Sequence, residues 1–394
     1  MLRRMDFLLL GITVVLTLFG LAMISSVSVF KSFQITSQLV ERGLMDAPSN
    51  SFYLWRSFLQ VILGFCVMGF TMIVPYRMWE RLALPVFAIS LLLLLSVFLP
   101  GIRADFGTAR SWIRLGFFSM QPSEFFKPAL VFYLALWLQK REQLIGTWKE
   151  GFIPFAMLIV VSTIMVALQP DLGSFLVLFA IAVVMFFVAG GNIFHVILGG
   201  AMASVLGLPI ILQKEYIRDR FHAFFNPADP TIAETIGFQI RQALIAIGSG
   251  GVFGVGYGKS IQKFGYLPEV QADTIFAAMA EELGFLRLLI ILGMFAIFIV
   301  RGYKIAQEAP DRFGFLVAMG ITTWIAVQTI LNIAVNLAIF PLTGITLPFI
   351  SAGGSSLISL LASVGILLNI SMHSTEAAVT ARRTPRRLLS FMGR

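Results

Sequence analysis

Runs of about 18 or more apolar residues recur along the whole chain, and no other feature restricts its fold as strongly. Each run is long enough to cross a hydrocarbon core of about 30 Å as a helix. Backbone N–H and C=O groups find no water there, so a spanning segment is a helix or part of a closed barrel. The runs are continuous and do not alternate with period two, which selects helices. Composition agrees: 58% of the 394 residues are hydrophobic and 12% are charged, about half the charged fraction of a soluble domain. The chain reads as an all-α polytopic membrane protein with about ten transmembrane helices. The spans fall at about 8–30, 57–74, 82–100, 122–138, 152–169, 172–189, 193–212, 272–300, 315–338 and 354–372.

The distribution of Lys and Arg orients the spans. With the N-terminus inside, the inner segments hold Arg3 and Arg4; Arg77 and Arg81; Lys140, Arg141 and Lys149; Arg301, Lys304 and Arg312; and the tail cluster Arg382, Arg383, Arg386, Arg387 and Arg394. The outer segments are longer and less basic per residue, which is the positive-inside pattern. Both termini are then cytoplasmic, and a large extracytoplasmic loop at about 213–271 joins helices 7 and 8. Residues 1–372 read as a single transmembrane domain, and 373–394 as a disordered basic tail attracted to anionic lipid. The first apolar run reads as a retained helix and not a cleaved leader.

Several function classes fall away. The net charge of +9 comes from residues flanking the spans, so no nucleic-acid partner is expected. His195, His222 and His373 are scattered and give no metal-ligand spacing. Cys66 is the single cysteine, which rules out an intramolecular disulfide. Glycines at 248, 250, 251, 254, 256 and 258 have no preceding strand, so they do not make a nucleotide-binding loop. A tight re-entrant turn is the expectation there.

Function is expected in the outer segments. The segment at about 31–56 is polar and reads as a partly ordered loop; that at about 101–121 contains Arg103, Asp105, Arg110, Trp112 and Arg114. The large loop mixes cations with aromatics at Tyr216–Phe221 and has amphipathic-helix character at Gly237–Ile247. It closes on Tyr266–Phe276, where Asp273 stands at the boundary between a polar segment and a long apolar helix. Charges near or within the bilayer are costly and are functional candidates by default. Here they are Glu124, Lys127, Asp171, Asp273, Glu281, Glu282 and Arg287. Glu124 and Lys127 are three apart and can pair on a helix. Glu124 and Asp171 also fit as helix-start acids after Pro122 and Pro170. Arg287 is expected to pair with a carboxylate. Arg110, Arg114, Arg218, Arg220, Lys127, Lys259 and Lys263 gather on the outer face, where a cationic cavity beside carboxylates suits an anionic lipid headgroup. A snorkelling interfacial cation is the competing reading for any single one.

Motif order then resembles a known family. The chain carries Ala109-Arg110-Ser111-Trp112-Ile113, Gln121-Pro122-Ser123-Glu124 with Lys127, and Gln169-Pro170-Asp171-Leu172-Gly173. Asn226-Pro227, Asp229-Pro230, Ile247-Gly248-Ser249-Gly250-Gly251 and Tyr266-Leu267-Pro268-Glu269 follow. Glu281-Glu282-Leu283-Gly284, Pro348-Phe349-Ile350-Ser351 and Gly353-Gly354-Ser355-Ser356 complete the set. In this order they resemble the SEDS family (shape, elongation, division and sporulation) of FtsW, RodA and SpoVE. Ser260-Ile261-Gln262-Lys263 looks closer to the FtsW and SpoVE branch. The chain departs from the pattern at Gln271-Ala272, Thr274, Ser111 and Ala352.

The resemblance implies a multi-pass protein of the bacterial cytoplasmic membrane. Its implied activity is a peptidoglycan glycosyltransferase, polymerising lipid II into β-1,4 glycan outside that membrane. Its implied partner is a class B penicillin-binding protein, a transpeptidase. The family's essential aspartate, in a Pro-Glu-x-x-x-Asp pattern, falls on Asp273. On that reading Asp273 is the general base. Lys127, Arg110, Arg218 and Arg220 face the pyrophosphate, and Glu124, Asp171, Trp112 and Glu269 line or orient the substrate site. A divalent cation, Mg or Mn, could assist at the pyrophosphate, but no ligand set is legible. Two other classes share the intramembrane charges: a lipid II flippase or other transporter, and a non-enzymatic scaffold that activates a penicillin-binding protein.

Overall fold

Among the described residues, seven helical segments are long and apolar enough to cross a membrane. In this computed structural model, residues 5–99, 103–106, 109–115, 118–201, 214–227, 229, 232 and 234–383 are described. The seven are α1 (Phe7–Val27), α3 (Phe52–Ile73), α4 (Tyr76–Ser96), a π turn (Trp148–Phe152) continuing into α6 (Ile153–Ala167), α11 (Ile275–Gln307), α12 (Arg312–Asn336), and α13 (Gly354–Arg383) up to His373. Outside that group are α2 (Val29–Glu41), α5 (Pro122–Lys140), the shorter apolar α7 (Leu172–Val188), the helical residues 193–201 (α8), α9 (Glu215–Phe225) and α10 (Ile236–Gly250). The chain is therefore a polytopic membrane protein. The remainder of the expected span at 193–212 lies outside the described residues, as do residues 384–394 of the expected tail; α13 itself continues past 373 to Arg383.

The expectation of an all-helical chain needs one correction. Three strands, β1 (Arg103–Phe106), β2 (Ala109–Leu115) and β3 (Phe118–Met120), form an antiparallel sheet in the order β1-β2-β3. Ala104 pairs with Trp112, and Ile113 pairs with Arg103 on one side and Met120 on the other. Ser111 and Ile113 are buried while Trp112 between them is half-buried, the alternation a strand produces. A second correction concerns the segment at about 31–56, whose first part is the helix α2. Ser32 and Thr36, one turn apart, are buried. Ser32 accepts from Tyr53 N–H at 3.2 Å, and Thr36 donates to the Ser49 carbonyl at 3.1 Å. The first span ends at Val27, earlier than its apolar run suggests.

Polar contacts gather helix ends into two groups. At one end Asp6 caps α1 and accepts from Arg301 at 2.6 and 2.9 Å, and Tyr76 at the start of α4 donates to Asp311 at the start of α12. At the other end the sheet, the starts of α5, α7, α11 and α13, and the loop after α12 meet. Helices α12 and α13 are largely buried, whereas α3, α4 and α11 turn broad apolar faces outward. Close approach of α13 to α3 rests on small residues: a Cβ on Gly64 would meet Leu361, and one on Gly365 would meet Thr71.

Candidate active site

Three side-chain amides on α12 organise the polar end. Gln328, Asn332 and Asn336 recur every four residues and so share one helix face. Asn332 donates to the Asp273 carbonyl at 2.9 Å and to the Ile345 carbonyl at 2.7 Å. Asn336 donates to the same Asp273 carbonyl at 3.0 Å, and Gln328 to the Thr346 carbonyl at 3.0 Å. The segment before α11 is thus clamped to the loop after α12. Ser351 Oγ adds a bond to the Ala272 carbonyl at 2.7 Å, and Ala352 N–H one to the Gln271 carbonyl at 2.8 Å. Backbone atoms carry this clamp, which leaves the Asp273 carboxylate outside it.

That carboxylate faces Gly344: a Cβ there would lie 3.5 Å from Asp273 Oδ2. Asp273 is half-buried. Loss of solvent is the largest influence on its acidity and the Glu269 charge the next; Arg220 opposes them and Asp171 adds to them. Together they push the carboxyl up to about 7. Glu269 holds a left-handed backbone (φ 47) and accepts from Gln271 Nε2 at 3.2 Å. This conformation is uncommon for a residue bearing a Cβ, and strain of this kind is found at functional turns.

The sequence-selected residues separate into groups. Asp171, Glu269, Asp273 and Arg220 share one electrostatic neighbourhood. Arg220 donates to the Leu342 carbonyl at 2.6 Å and stacks over the Tyr216 ring at 4.2 Å. Asp171 caps α7 through Ser174 N–H at 2.9 Å and accepts from Gln121 Nε2 at 2.9 Å and Ser123 Oγ at 3.3 Å. The two Gln-Pro motifs therefore meet on one carboxylate. Lys127 is fully buried; it donates to Glu124 at 2.8 Å and Gln328 at 3.0 Å, beneath the Trp324 ring at 5.5 Å. Glu124 and Lys127 are thus an internal ion pair tied to the α12 amide face, with Glu124 Oε2 buried and unpartnered among the described residues. Arg218 is exposed and lies 3.7 Å from Glu215. Trp112 sits on β2; Arg110 is on the same strand, its side chain outside the described residues.

Two expectations are corrected. Lys263 is not an outward-facing cation: it is buried, 3.1 Å from Glu282. Arg287 pairs with no carboxylate among the described residues and donates to the Phe253 carbonyl at 3.1 Å. Both follow from a break in α11. Gly284 has φ 72 inside that helix, so backbone groups on either side lose their helical partners. The glycine loop supplies replacements. Val255 and Gly256 N–H groups donate to the Glu281 and Glu282 carbonyls, and the Gly251 and Val252 carbonyls accept from Phe285 and Leu286. Glu281 and Glu282 side chains hold the same loop through Ser260, Ile261 and Gly258. The glycines therefore serve close backbone approach. The amphipathic stretch 237–247 is part of α10, which packs along α11: a Cβ on Gly250 would strike the Ala280 carbonyl.

Tyr216 was legible only as part of a cation–aromatic stretch. Its phenol is raised to about 12, by burial first, with Arg220 opposing and the Asp171 and Asp273 charges adding. The amide ladder on α12 also escaped selection, although three amides at four-residue spacing in an apolar helix are a signal in their own right. Among the described residues no group of three His, Cys, Asp or Glu side chains could hold a metal ion.

A family model described as cell cycle protein, covering FtsW, RodA and SpoVE, matches residues 6–376. A protein of Trichlorobacter lovleyi called probable peptidoglycan glycosyltransferase FtsW is 37% identical over 97% of this chain and 97% of its own. Stage V sporulation protein E of Bacillus subtilis is 39% identical over 94% of this chain and 97% of its own. Among solved structures, a chain of a peptidoglycan synthase complex that coordinates polymerization and crosslinking superposes with a TM-score of 0.74 at 25% identity, over 94% of this chain and 98% of that one. The rod shape determining protein RodA of Thermus thermophilus gives 0.65 at 26% identity, over 93% and 96%.

Proposed function

This chain belongs to the FtsW, RodA and SpoVE family of cell cycle proteins, and we propose that it is a peptidoglycan glycosyltransferase that polymerises lipid II. The observation that carries the reading is Asp273. Its backbone is fixed by two asparagines, while its carboxyl, raised to about 7, lies in the field of Arg220. A general base works best with a pKa near the working pH.

In the reaction the GlcNAc 4-hydroxyl of one lipid II attacks the anomeric carbon of another glycan. The C–O bond to the undecaprenyl pyrophosphate breaks, and the pyrophosphate leaves with the electron pair. The attacking hydroxyl loses its proton to Asp273. An α-linked donor gives a β-1,4 bond in one inverting displacement, so one base suffices. The leaving group is already anionic and needs cations, not a proton donor. Arg220 is the described cation in the field of Asp273; Arg110, Arg218, Trp112, Asp171 and Glu269 complete the substrate site in this reading. Lys127 and Glu124 act from beneath it, through Gln328 and the clamped loop.

The rest of the reading follows from charge and family. Ten spans bring both termini to the cytoplasm, with the Asp273 end outside the bacterial inner membrane. A class B penicillin-binding protein is the partner, which suits the likeness to a chain of a synthase complex that couples polymerization with crosslinking. The test supplies labelled lipid II to the protein with its transpeptidase and compares wild type with Asp273→Ala. Polymer from wild type and none from the variant is the expected result. Equal polymer from both removes Asp273 from catalysis, and headgroup translocation in liposomes without polymer makes the protein a flippase.

A further inference from the structure

Arg287 takes no part in the site around Asp273, and its position is costly. It is exposed on α11 among exposed apolar neighbours, Phe285, Leu286, Leu289 and Ile290. Its depth follows from the opposite end of the helix, where Arg301 binds Asp6. Helical geometry is unbroken between the two arginines. Arg287 precedes Arg301 by fourteen residues, about 21 Å along the axis. A hydrocarbon core is about 30 Å thick. With Arg301 at one boundary, the Arg287 backbone lies about 9 Å inside the other. A charged side chain facing lipid at that depth is expensive and extends toward the headgroups.

The glycine loop reaches a similar depth. Tyr257 donates to the Ala22 carbonyl of α1 at 2.7 Å, and Ala22 follows Asp6 by sixteen residues, about 24 Å. Val252, Phe253, Val255 and Tyr257 are exposed, so the loop turns apolar side chains outward. Irregular backbone at membrane depth needs its polar groups satisfied. The backbone around Gly284 satisfies several of them, and Arg287 Nη1 satisfies the Phe253 carbonyl at 3.1 Å. That bond uses one of the five guanidinium donors. Lys259, also exposed, follows Gly258, whose N–H bonds the Glu282 carboxylate at 3.0 Å. Glu282 lies about 7 Å nearer the headgroups than Arg287. Among the described residues neither Arg287 nor Lys259 enters an ion pair. Glu281 and Glu282, the carboxylates on this stretch of α11, are buried and turned to Ser260 and Lys263.

We infer that Arg287 and Lys259 form a headgroup site for an anionic phospholipid in the leaflet at the Asp273 end, with its acyl chains along Phe253 and the exposed face of α11. Charge commits this face to that occupant. The guanidinium fork matches a phosphate group. Two cations with no carboxylate turned toward them match a net negative headgroup such as phosphatidylglycerol. The apolar residues below them match acyl chains. The site stands apart from the glycosyltransferase reading and does not depend on it.

The test uses the full chain in detergent and follows binding of dioleoylphosphatidylglycerol by native mass spectrometry, with glycerol 1-phosphate as the free-phosphate probe. Arg287→Gln keeps a donor for the Phe253 carbonyl and loses the charge, and is expected to weaken the lipid about tenfold. Arg287→Lys keeps the charge and should fall between it and wild type. Lys259→Ala should weaken the lipid about fivefold, the worth of one lysine near an anionic surface. Arg42→Ala, an exposed cation beyond the end of α2, should bind as wild type does. The lipid should also raise the melting temperature of wild type more than that of Arg287→Gln. Unchanged affinity in folded Arg287 and Lys259 variants overturns the site. Equal losses in Arg287→Gln and Arg287→Lys do so too, since Arg287 would then only brace the loop. Full displacement by glycerol 1-phosphate would assign the cations to free phosphate and overturn the lipid. A photocrosslinker at Ile290, one turn along the same face, is expected to give lipid adducts in native membranes. A protein adduct in their place would assign the face to a partner's membrane helix and overturn the proposal.

Discussion

Asn332 donates its side-chain amide to the backbone carbonyl of Asp273 at 2.9 Å and to that of Ile345 at 2.7 Å. One buried residue on α12 thus joins the helix bundle to both segments that form the site. Asn332→Ala leaves the Ile345 carbonyl without this partner and the Asp273 carbonyl with Asn336 alone. The expected cost is about 1–3 kcal/mol of stability. Polymerisation should fall further than the unfolded fraction explains, because the position of Asp273 loosens. Thermal melts in detergent and polymerisation assays on the same preparation check this.

The acidity of Asp273 predicts opposite pH trends for stability and for activity. Its folded carboxyl titrates near 7, against 3.8 for an ordinary aspartate, with burial as the main cause. The native state therefore holds this proton more tightly than the unfolded chain does. The resulting stabilisation is complete below about 3.8 and is lost as pH rises through about 7. The catalytic base is populated over the same rise, so kcat/KM should climb with pH and level off above about 7. A profile flat from pH 5 to 9 would remove Asp273 as the titrating base.

Arg220 is the cation that restrains this shift. Arg220→Ala should move the acidic limb of the profile to higher pH, while Arg220→Lys keeps the charge and moves it less. The two variants separate the charge from the stack on Tyr216 and the bond to Leu342, both of which need the guanidinium plane. A pH titration of kcat/KM for both variants reads the difference.

Seven of the spans and the place of Asp273 just before α11 were legible because each rests on local pattern: apolar length for the helices, the polar-to-apolar boundary for the acid. Partners were not. Spacing placed Glu124 and Lys127 on one face and so predicted their contact. No spacing rule, by contrast, connects Arg287 to the Phe253 carbonyl, because that bond depends on the break at Gly284. The sheet was missed because its strands are short and sit in a segment rich in charge and glycine, where alternation extends over only a few residues. Lys263 looked like a loop cation until the fold enclosed it with Glu282. In each case a tertiary contact between distant segments decided the outcome.

Gly254 and Gly284 are the backbone contact on which the α11 break depends. Both have positive φ, and a Cβ on Gly254 would lie 2.3 Å from the Glu282 carbonyl oxygen. Gly254→Ala combines a backbone strain of about 1–3 kcal/mol with a clash against rigid main chain. Gly258 has positive φ but open space around its Cβ position, so Gly258→Ala should incur the strain alone. The expected order of melting temperatures is wild type, then Gly258→Ala, then Gly254→Ala. The reverse order for the two variants would contradict the close approach.

The Lys263–Glu282 pair gives the largest expected effect. Glu282 accepts from Ser26 at 2.6 Å, Lys263 at 3.1 Å and Gly258 N–H at 3.0 Å, joining α1, the glycine loop and α11. Both side chains are almost fully enclosed. Lys263→Met leaves a carboxylate buried without its counter-charge, which costs about 3–5 kcal/mol. Glu282→Gln leaves an ammonium in the same place and should cost a comparable amount, even though it keeps one acceptor for Ser26. Combining the two removes both charges, so the double variant should be more stable than the sum of the single losses predicts. The exposed pair Lys304–Glu308 is the control, with Lys304→Ala expected to change stability by about 0–1 kcal/mol. Thermal melts of the four variants in one detergent measure the coupling. Additive losses for Lys263→Met and Glu282→Gln would mean that the two charges do not interact and that Glu282 is held by Ser26 and Gly258 alone.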